Sequence, residues 1–298
     1  MIREFAPAKL NLYLHITGRR VDGYHNLDSL VAFAGVGDHI RLGLEDSFEF
    51  AIEGPQSAGL QNEPPHHNLV VKAVRSLAER VGREPNVKLT LLKNLPVASG
   101  IGGGSSDAAA GLRALAQHWE LLLDDPRLLA AAAEHGQDVP VCLKIVNNYI
   151  TESGTAPAPD LPHADLVLVN PNKPLPTADV YKAFKQNMCR FSPEAQLTAP
   201  PVDLPALITA LRERTNDLYE PACSLMPDIR RIVEALEKTS NCLLARMSGS
   251  GATCFGMYPD RASARQAAAT ILEANPGWWV TPSYLPYRGS AVAESLGK

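Results

Sequence analysis

The run Pro96-Val97-Ala98-Ser99-Gly100-Ile101-Gly102-Gly103-Gly104-Ser105-Ser106 places four glycines in the five positions 100–104. Backbone without Cβ atoms can approach an anion closely and turn successive N–H groups toward it. On its upstream side Val87, Leu89 and Leu91 alternate with Lys88 and Thr90, the pattern of a half-buried strand. On its downstream side Leu112, Leu115, Trp119 and Leu122 recur at helical spacing, with Asp107 in the first turn. A helix starting there offers its positive pole to the same anion. The plain alternative is a flexible linker, but linkers are rarely clamped between two periodic elements. Two common phosphate templates fail: no Gly-Lys-Ser/Thr closes the loop, and the dinucleotide pattern needs a glycine where Ser105 stands.

Two further segments carry chemistry. In Ala6-Pro7-Ala8-Lys9-Leu10-Asn11-Leu12-Tyr13-Leu14-His15-Ile16, the residues Leu10, Leu12, Leu14 and Ile16 alternate with Lys9, Asn11, Tyr13 and His15. A strand here buries the first set and presents the second, so Lys9 and Asn11 share one face. Read alone, Lys9 is a solvated strand lysine as easily as a catalytic one. Gly18-Arg19-Arg20-Val21-Asp22-Gly23-Tyr24-His25 reads as a polar turn carrying an aromatic and a titratable ring. The second segment starts at Asp125, an N-cap with Pro126 in the first turn, and its apolar run from Leu128 to Ala133 stops at Gly136. Asp138 lies just past that stop and before Val139-Pro140-Val141-Cys142-Leu143, at an element boundary. A capping or turn aspartate is the bland reading of it.

These segments together resemble the GHMP kinases, the small-molecule kinases named for galactose, homoserine, mevalonate and phosphomevalonate. The resemblance runs in order over about residues 1–260. Asn216-Asp217-Leu218 with Pro221-Ala222 extends it, as does a third motif, Met247-Ser248-Gly249-Ser250-Gly251-Ala252-Thr253-Cys254-Phe255. Lys9-Leu10-Asn11 and Asp22-Gly23-Tyr24-His25 are most similar to the branch that acts on cytidine diphosphate methylerythritol. The resemblance implies an α+β, two-domain architecture with the active site in the cleft between domains. It implies an ATP-binding domain over 1–160, which holds the glycine-serine loop, and a C-terminal domain over 161–298.

The activity so implied is transfer of the γ-phosphate of ATP, with Mg2+, to the 2-hydroxyl of that small-molecule substrate, a step of the non-mevalonate route to isoprenoid precursors. Lys9 and Asp138 are implied as catalytic. Pro96, Val97, Ala98, Ser99, Gly100, Ile101, Gly102, Gly103, Gly104, Ser105 and Ser106, with Gly249, Ser250 and Gly251, are implied around the ATP phosphates. Asn11, Tyr24, His25 and Tyr181 are implied at the substrate, with Tyr24 and Tyr181 on opposite faces of the cytosine. Ser105 and Ser106 would grip phosphate with the loop amides, and no residue is assigned to the metal. Tyr181 also fits a core-packing role, and Gly249 to Gly251 also fit a plain hairpin turn. Another GHMP kinase, or a GHMP-fold regulator without turnover, stays open, although Lys9 and Asp138 together argue against lost turnover. Gln137 and the glycine-poor stretch from Lys144 to Thr155 depart from the family pattern and leave the conformation beyond Asp138 open.

Along the rest of the chain, a seam is expected at the proline-rich stretch from Ala156 to Pro162, and a connector from Phe191 to Pro205 containing Pro193, Pro200, Pro201 and Pro205. Leu166 to Val169, Leu243 to Met247, Thr253 to Tyr258 and Trp278 to Val280 read as strands. The segments from Thr177, from Leu204 to Arg214, from Ile229 to Glu237 and from Ala262 to Ala274 read as helices. Strands and helices without regular βαβ alternation suggest α+β. The 298 residues are 45% hydrophobic with a net charge of −4, which disfavours a nucleic-acid surface. No apolar run is long enough for a membrane span and the first residues read as a strand. The five scattered cysteines read as reduced thiols of a cytoplasmic protein. His66-His67 between prolines and polar residues reads as an exposed loop rather than a metal site.

Overall fold

The computed structural model describes residues 1–21, 23–61, 63–186 and 190–286. Two compact units emerge. One comprises Met1–Lys9, Gly37–Val97 and Gly102–Val146, the other Leu10–Val36, Ala98–Ile101 and the chain from Asn147 onward. A single cut after residue 160 therefore does not match the units. The reason is two long strands, β1 (Ile2–Arg19) and β2 (His25–Leu44), each of which runs through both units. The chain from Asn148 also pairs with the first half of β2, which moves the last boundary to 146/147.

In the first unit β3 (Glu49–Glu53) lies parallel to β4 (Val87–Leu92), and β4 pairs antiparallel with the second half of β2, His39 facing Leu92 and Leu44 facing Val87. Helix α1 (Leu69–Val81) presents Val70, Val74 and Leu77 to the core; Asn68 caps it through Val70 N at 2.9 Å, and Gly82 ends it with φ 70°. Helix α2 (Gly103–His118) carries the alanine-rich run, and Gly111 lets α1 come close, since a Cβ there would meet Val70 Cγ1 at 2.9 Å. Helix α3 (Pro126–Glu134) begins at Asp125 as the sequence predicts, with the carboxylate accepting from Arg127 N at 2.8 Å. The apolar run after Asp138 forms a short helix, α4 (Asp138–Lys144), of which Asp138 is the first residue.

In the second unit the first half of β2 pairs with β5 (Asn148–Thr151), which forms a hairpin with β6 (Gly154–Pro157). The glycine-poor stretch after Asp138 thus becomes the end of α4 and this hairpin. A second sheet has the order β10-β7-β9-β8, all antiparallel, from β7 (Ala164–Asn170), β8 (Leu244–Met247), β9 (Cys254–Tyr258) and β10 (Trp279–Leu285). Helices α5 (Thr177–Gln186), α6 (Leu204–Arg212), α7 (Tyr219–Leu225), α8 (Asp228–Glu237) and α9 (Arg261–Ala274) complete it. Ile229, Ile232, Val233 and Leu236 of α8 and Ala264, Ala267, Ala268 and Ile271 of α9 share a core with Val167, Val169 and Tyr258 of the sheet. The mixture of strands and helices is α+β, as the sequence predicts. Cys142, Cys223, Cys242 and Cys254 are free thiols, and Cys189 lies outside the described residues. His66 and His67 sit exposed in a short turn.

Candidate active site

Strand β1 departs from the expected alternation. It is buried on both faces, with Lys9 at 5%, Asn11 at 3%, Tyr13 at 0% and His15 at 6% exposure. A polar side chain in such a place needs a partner, and each has one. Lys9 Nζ pairs with Asp138 Oδ1 at 3.0 Å. Asn11 Nδ2 donates to Ser29 Oγ at 2.7 Å, and Tyr13 donates to Asp28 Oδ1 at 3.1 Å. His15 joins Pro193 O at 2.9 Å and accepts from Thr215 N at 3.2 Å. The lysine and aspartate that the sequence sets 129 residues apart are thus brought together, while Asn11 is held inside the strand pair rather than standing open. The Asp138 side chain keeps 39% of its surface accessible, so the pair is buried on the lysine's side and open on the carboxylate's.

The glycine-serine loop divides into a stem, a tip and a helix start. Helix α2 begins inside it, at Gly103, behind Gly102 with φ 63°. Gly102 is required twice over: by that φ, and because a Cβ there would lie 2.9 Å from Lys9 Cε. Ser106 N makes the first intrahelical bond, to Gly102 O at 2.8 Å, so the amides of Gly103, Gly104 and Ser105 precede any intrahelical acceptor. Gly104 is exposed and Gly103 and Ser105 half-buried. Ser106 is buried, and its hydroxyl donates to Pro7 O of β1 at 2.8 Å. Pro96, Ser99 and Ile101 are buried as well.

The tip, Ala98–Ile101, packs on the third motif. Leu175 N donates to Ala98 O at 3.2 Å and Thr253 N to Ser99 O at 3.0 Å, and Ser248 Oγ donates to Gly100 O at 3.1 Å while accepting from Asn11 N. Asn216 Nδ2 holds Met247 O and Gly249 O, each at 2.8 Å, which gives the Asn216-Asp217-Leu218 motif its task. Ser250 Oγ meets Thr177 Oγ1 at 2.8 Å, at the start of α5. Gly100 has φ 74°, and a Cβ on it would come within 2.6 Å of Gly251 O, Gly251 N and Ser248 O. Gly100→Ala is therefore expected to cost about 1–3 kcal/mol through the left-handed backbone alone, with contact strain added. A melting temperature and a KM for ATP both matching the wild type would refute this account of the loop.

Beneath the helix start lies a cluster that sequence reasoning missed. Lys93 Nζ bonds Asp38 Oδ2 at 2.5 Å and Asp107 Oδ2 at 2.7 Å, all three residues being buried. Asp38 Oδ1 also accepts from Asn94 N at 2.5 Å and Leu95 N at 2.8 Å, which fixes the chain entering the loop. The only sequence signal is a lysine ending an apolar strand. Elsewhere in the unit Arg113 of α2 bonds Glu4, Phe5 O and Cys142 O, tying α2 to β1 and α4.

At the substrate residues, the structure stacks His25 on Tyr181, centroids 5.1 Å apart and planes at 23°, with Phe184 edge-on to His25 at 5.7 Å. Tyr24 is 70% exposed. The face of Tyr181 that meets a neighbour here meets His25, and Phe184 is an aromatic the motif reading did not include. Burial, then Arg19 and Lys185, pull the His25 pKa below its usual 6.5, so its ring is neutral at pH 7. Asp22 lies outside the described residues.

The family model for the GHMP kinases N terminal domain matches residues 68–144, and that for the GHMP kinases C terminal domain matches 203–277. A 4-diphosphocytidyl-2-C-methyl-D-erythritol kinase of Rhodospirillum rubrum is 47% identical over 286 residues, covering 95% of this chain and 92% of the relative. The chain belongs to the 4-diphosphocytidyl-2-C-methyl-D-erythritol kinases, within the GHMP superfamily. A further member of this kinase family, from Paramagnetospirillum magneticum, is 46% identical over 94% of this chain and 97% of its own. The crystal structure of a 4-(cytidine 5'-diphospho)-2C-methyl-D-erythritol kinase superposes with a TM-score of 0.75 at 30% identity, covering 95% of this chain and 99% of that one. Membership makes the chain an ATP-dependent small-molecule kinase. Among the described residues no helix is long and apolar enough to cross a membrane.

Proposed function

We propose that this kinase transfers the γ-phosphoryl group of ATP to the 2-hydroxyl of 4-diphosphocytidyl-2-C-methyl-D-erythritol, with Asp138 receiving or orienting the hydroxyl proton. The observation that carries this reading is the Lys9–Asp138 pair, 3.0 Å apart with an accessible carboxylate, on the strand that packs against Gly102 at the start of the phosphate helix. Phosphoryl transfer passes through a loose transition state and asks the protein mainly for alignment and charge stabilisation. The amides of Gly103, Gly104 and Ser105, with the dipole of α2, supply donors to the phosphates. Lys9 balances the carboxylate as the negative phosphoryl oxygens approach, and Asp138 accepts from the alcohol.

Among the described residues no group of three or more His, Cys, Asp or Glu is arranged to hold a metal ion. The magnesium ion of the nucleotide substrate would be held by its phosphates and water. The ion would neutralise phosphate charge there. Nucleotide phosphate binding is assigned to the glycine-serine loop and the start of α2, and cytidine recognition to His25, Tyr181 and Tyr24. A neutral imidazole offers one donor and one acceptor to a base edge, and an aromatic face stacks on the base.

Tyr181→Ala is expected to raise KM for the cytidine substrate roughly 5- to 150-fold, the value of one base stack, with kcat little changed. An unaltered KM would remove Tyr181 from the site. The reading as a whole is tested by ADP release from magnesium-ATP with the cytidine substrate, beside mevalonate, homoserine and galactose. Turnover confined to the cytidine substrate is the expected result. Turnover with another acceptor overturns the substrate, and ATP binding without turnover overturns the catalysis.

A further inference from the structure

The buried cluster under α2 holds two carboxyl groups and one ammonium group, and they are not equivalent. Asp38 receives three donors: Lys93 Nζ, Asn94 N and Leu95 N. Asp107 receives Lys93 on Oδ2, whereas its Oδ1 is buried and has no hydrogen-bond partner among the described residues. Two ionised carboxylates around one ammonium would leave a net negative charge desolvated, which costs far more than a neutral carboxyl in the same place. Three donors stabilise the charged form of Asp38; Asp107, with a single donor, is the place for a proton.

We propose that Asp107 is carried in the fold as a neutral carboxylic acid, so that the Asp38–Lys93–Asp107 cluster is electrically neutral beneath the helix turn that meets the nucleotide's phosphates. Asp107 is thereby a positioning residue: with Lys93 it pins α2 to the strand end that leads into the loop, without setting a negative charge against the phosphates. Gly103 lies four residues before Asp107, and a Cβ on it would come within 3.2 Å of Lys93 Nζ. The cluster therefore lies directly beneath the phosphate turn. The other groups facing Asp107 agree. Burial, the largest influence, lifts Asp107 well above the usual carboxylate range, and the Asp38 charge adds to it against the pull of Lys93. From α4 the Cys142 thiol, pushed up to about 12 by burial, is neutral. From α1, the apolar Val70 and Val74 face the helix at Gly111.

The functional part of this inference rests on the proposed placement of ATP phosphates at Gly103 to Ser105, and the test separates the two. Infrared difference spectra of the full chain against Asp107→Asn at pH 7 are expected to show a protonated-carboxyl C=O stretch that the variant lacks. Melting temperature against pH gives the second readout. A group whose folded pKa is raised contributes stability that is complete below the unfolded value near 3.8 and is lost as pH rises through the folded value. The wild type is therefore expected to lose stability relative to Asp107→Asn as pH rises above about 4. For a carboxylate ionised in the fold the wild type instead gains on the variant as pH rises toward about 4, and the two run parallel above it. An absent carboxyl band, or stabilities that run parallel above that pH, overturns the proposal.

The placement of the phosphates is read independently by Gly104→Asp, which puts a charge on an exposed first-turn position. If the placement is right, ATP affinity falls at least tenfold. If ATP binding ignores this charge while the infrared band is present, the phosphate placement fails and the proton stays on Asp107. If ATP binding weakens while the band is absent, the placement stands and the proton assignment fails.

Discussion

Asp138→Asn is expected to lower kcat by roughly 10²- to 10⁴-fold, the usual contribution of a positioned proton acceptor, while ATP still binds. The substitution keeps the shape of the side chain, and the amide oxygen can still accept from Lys9 Nζ, which now sits 3.0 Å from Oδ1. What disappears is the carboxylate that takes up or orients the hydroxyl proton. Asp138 is the first residue of α4 and its side chain keeps 39% of its surface accessible, so little packing is disturbed. An interaction made only at the transition state lowers kcat and kcat/KM together and leaves ground-state binding alone. The measurement is steady-state turnover with the cytidine substrate, alongside ATP affinity by calorimetry. Near-normal kcat would strike Asp138 from the mechanism. A loss of ATP affinity as large as the loss of kcat would turn it into a nucleotide-site residue.

The parts of this molecule that could be read from its residues are those in which a local pattern decides the outcome. The strand at Val87 to Leu92, the helix after the glycine loop and the stop of α3 near Gly136 follow from spacing and caps within a dozen residues. Helix α1 was equally legible in principle, since Val70, Val71, Val74, Leu77 and Ala78 form one face behind an asparagine cap. Lys9 and Asp138 could be named only through motif resemblance, because no local rule joins residues 129 apart.

What stayed hidden depends on tertiary partners. Alternation in β1 speaks for one open face, yet Ser29, Asp28, Pro193 and Thr215 cover the polar set within the second unit. Ser106 has the residue type for a phosphate contact but the position for a bond to Pro7. His25 and Tyr181 were each singled out, but their stacking on one another was not, since α5 brings the tyrosine from 156 positions away. In each case residue type was informative and direction was not, because direction is set by which neighbour arrives from afar.

Lys93 illustrates the same limit with the largest expected cost in stability. At the end of a strand reading Leu91-Leu92-Lys93-Asn94, it looks like a solvated charge, but its side chain is 3% exposed and its partners come from 55 and 14 residues away. Lys93→Met matches the length of the stem and removes the ammonium. It leaves Asp38 with its two amide donors and Asp107 with none, in a site where neither side chain is more than 3% exposed. Removing one partner of a buried ion pair typically costs about 3–5 kcal/mol, since the surviving charge is left desolvated. For a chain of this size that corresponds to a melting temperature lower by roughly 6–20 °C. The damage should also be local, because Asp38 fixes Asn94 and Leu95 at the loop's entry while Lys93 holds the first turns of α2 through Asp107. Hydrogen exchange is expected to speed up in 93–107 before the rest of the first unit, with KM for ATP rising more than kcat falls. Wild-type melting and exchange in Lys93→Met would mean that the Asp38 carboxylate finds a proton or water at little cost, and that the helix start is held by its packing alone.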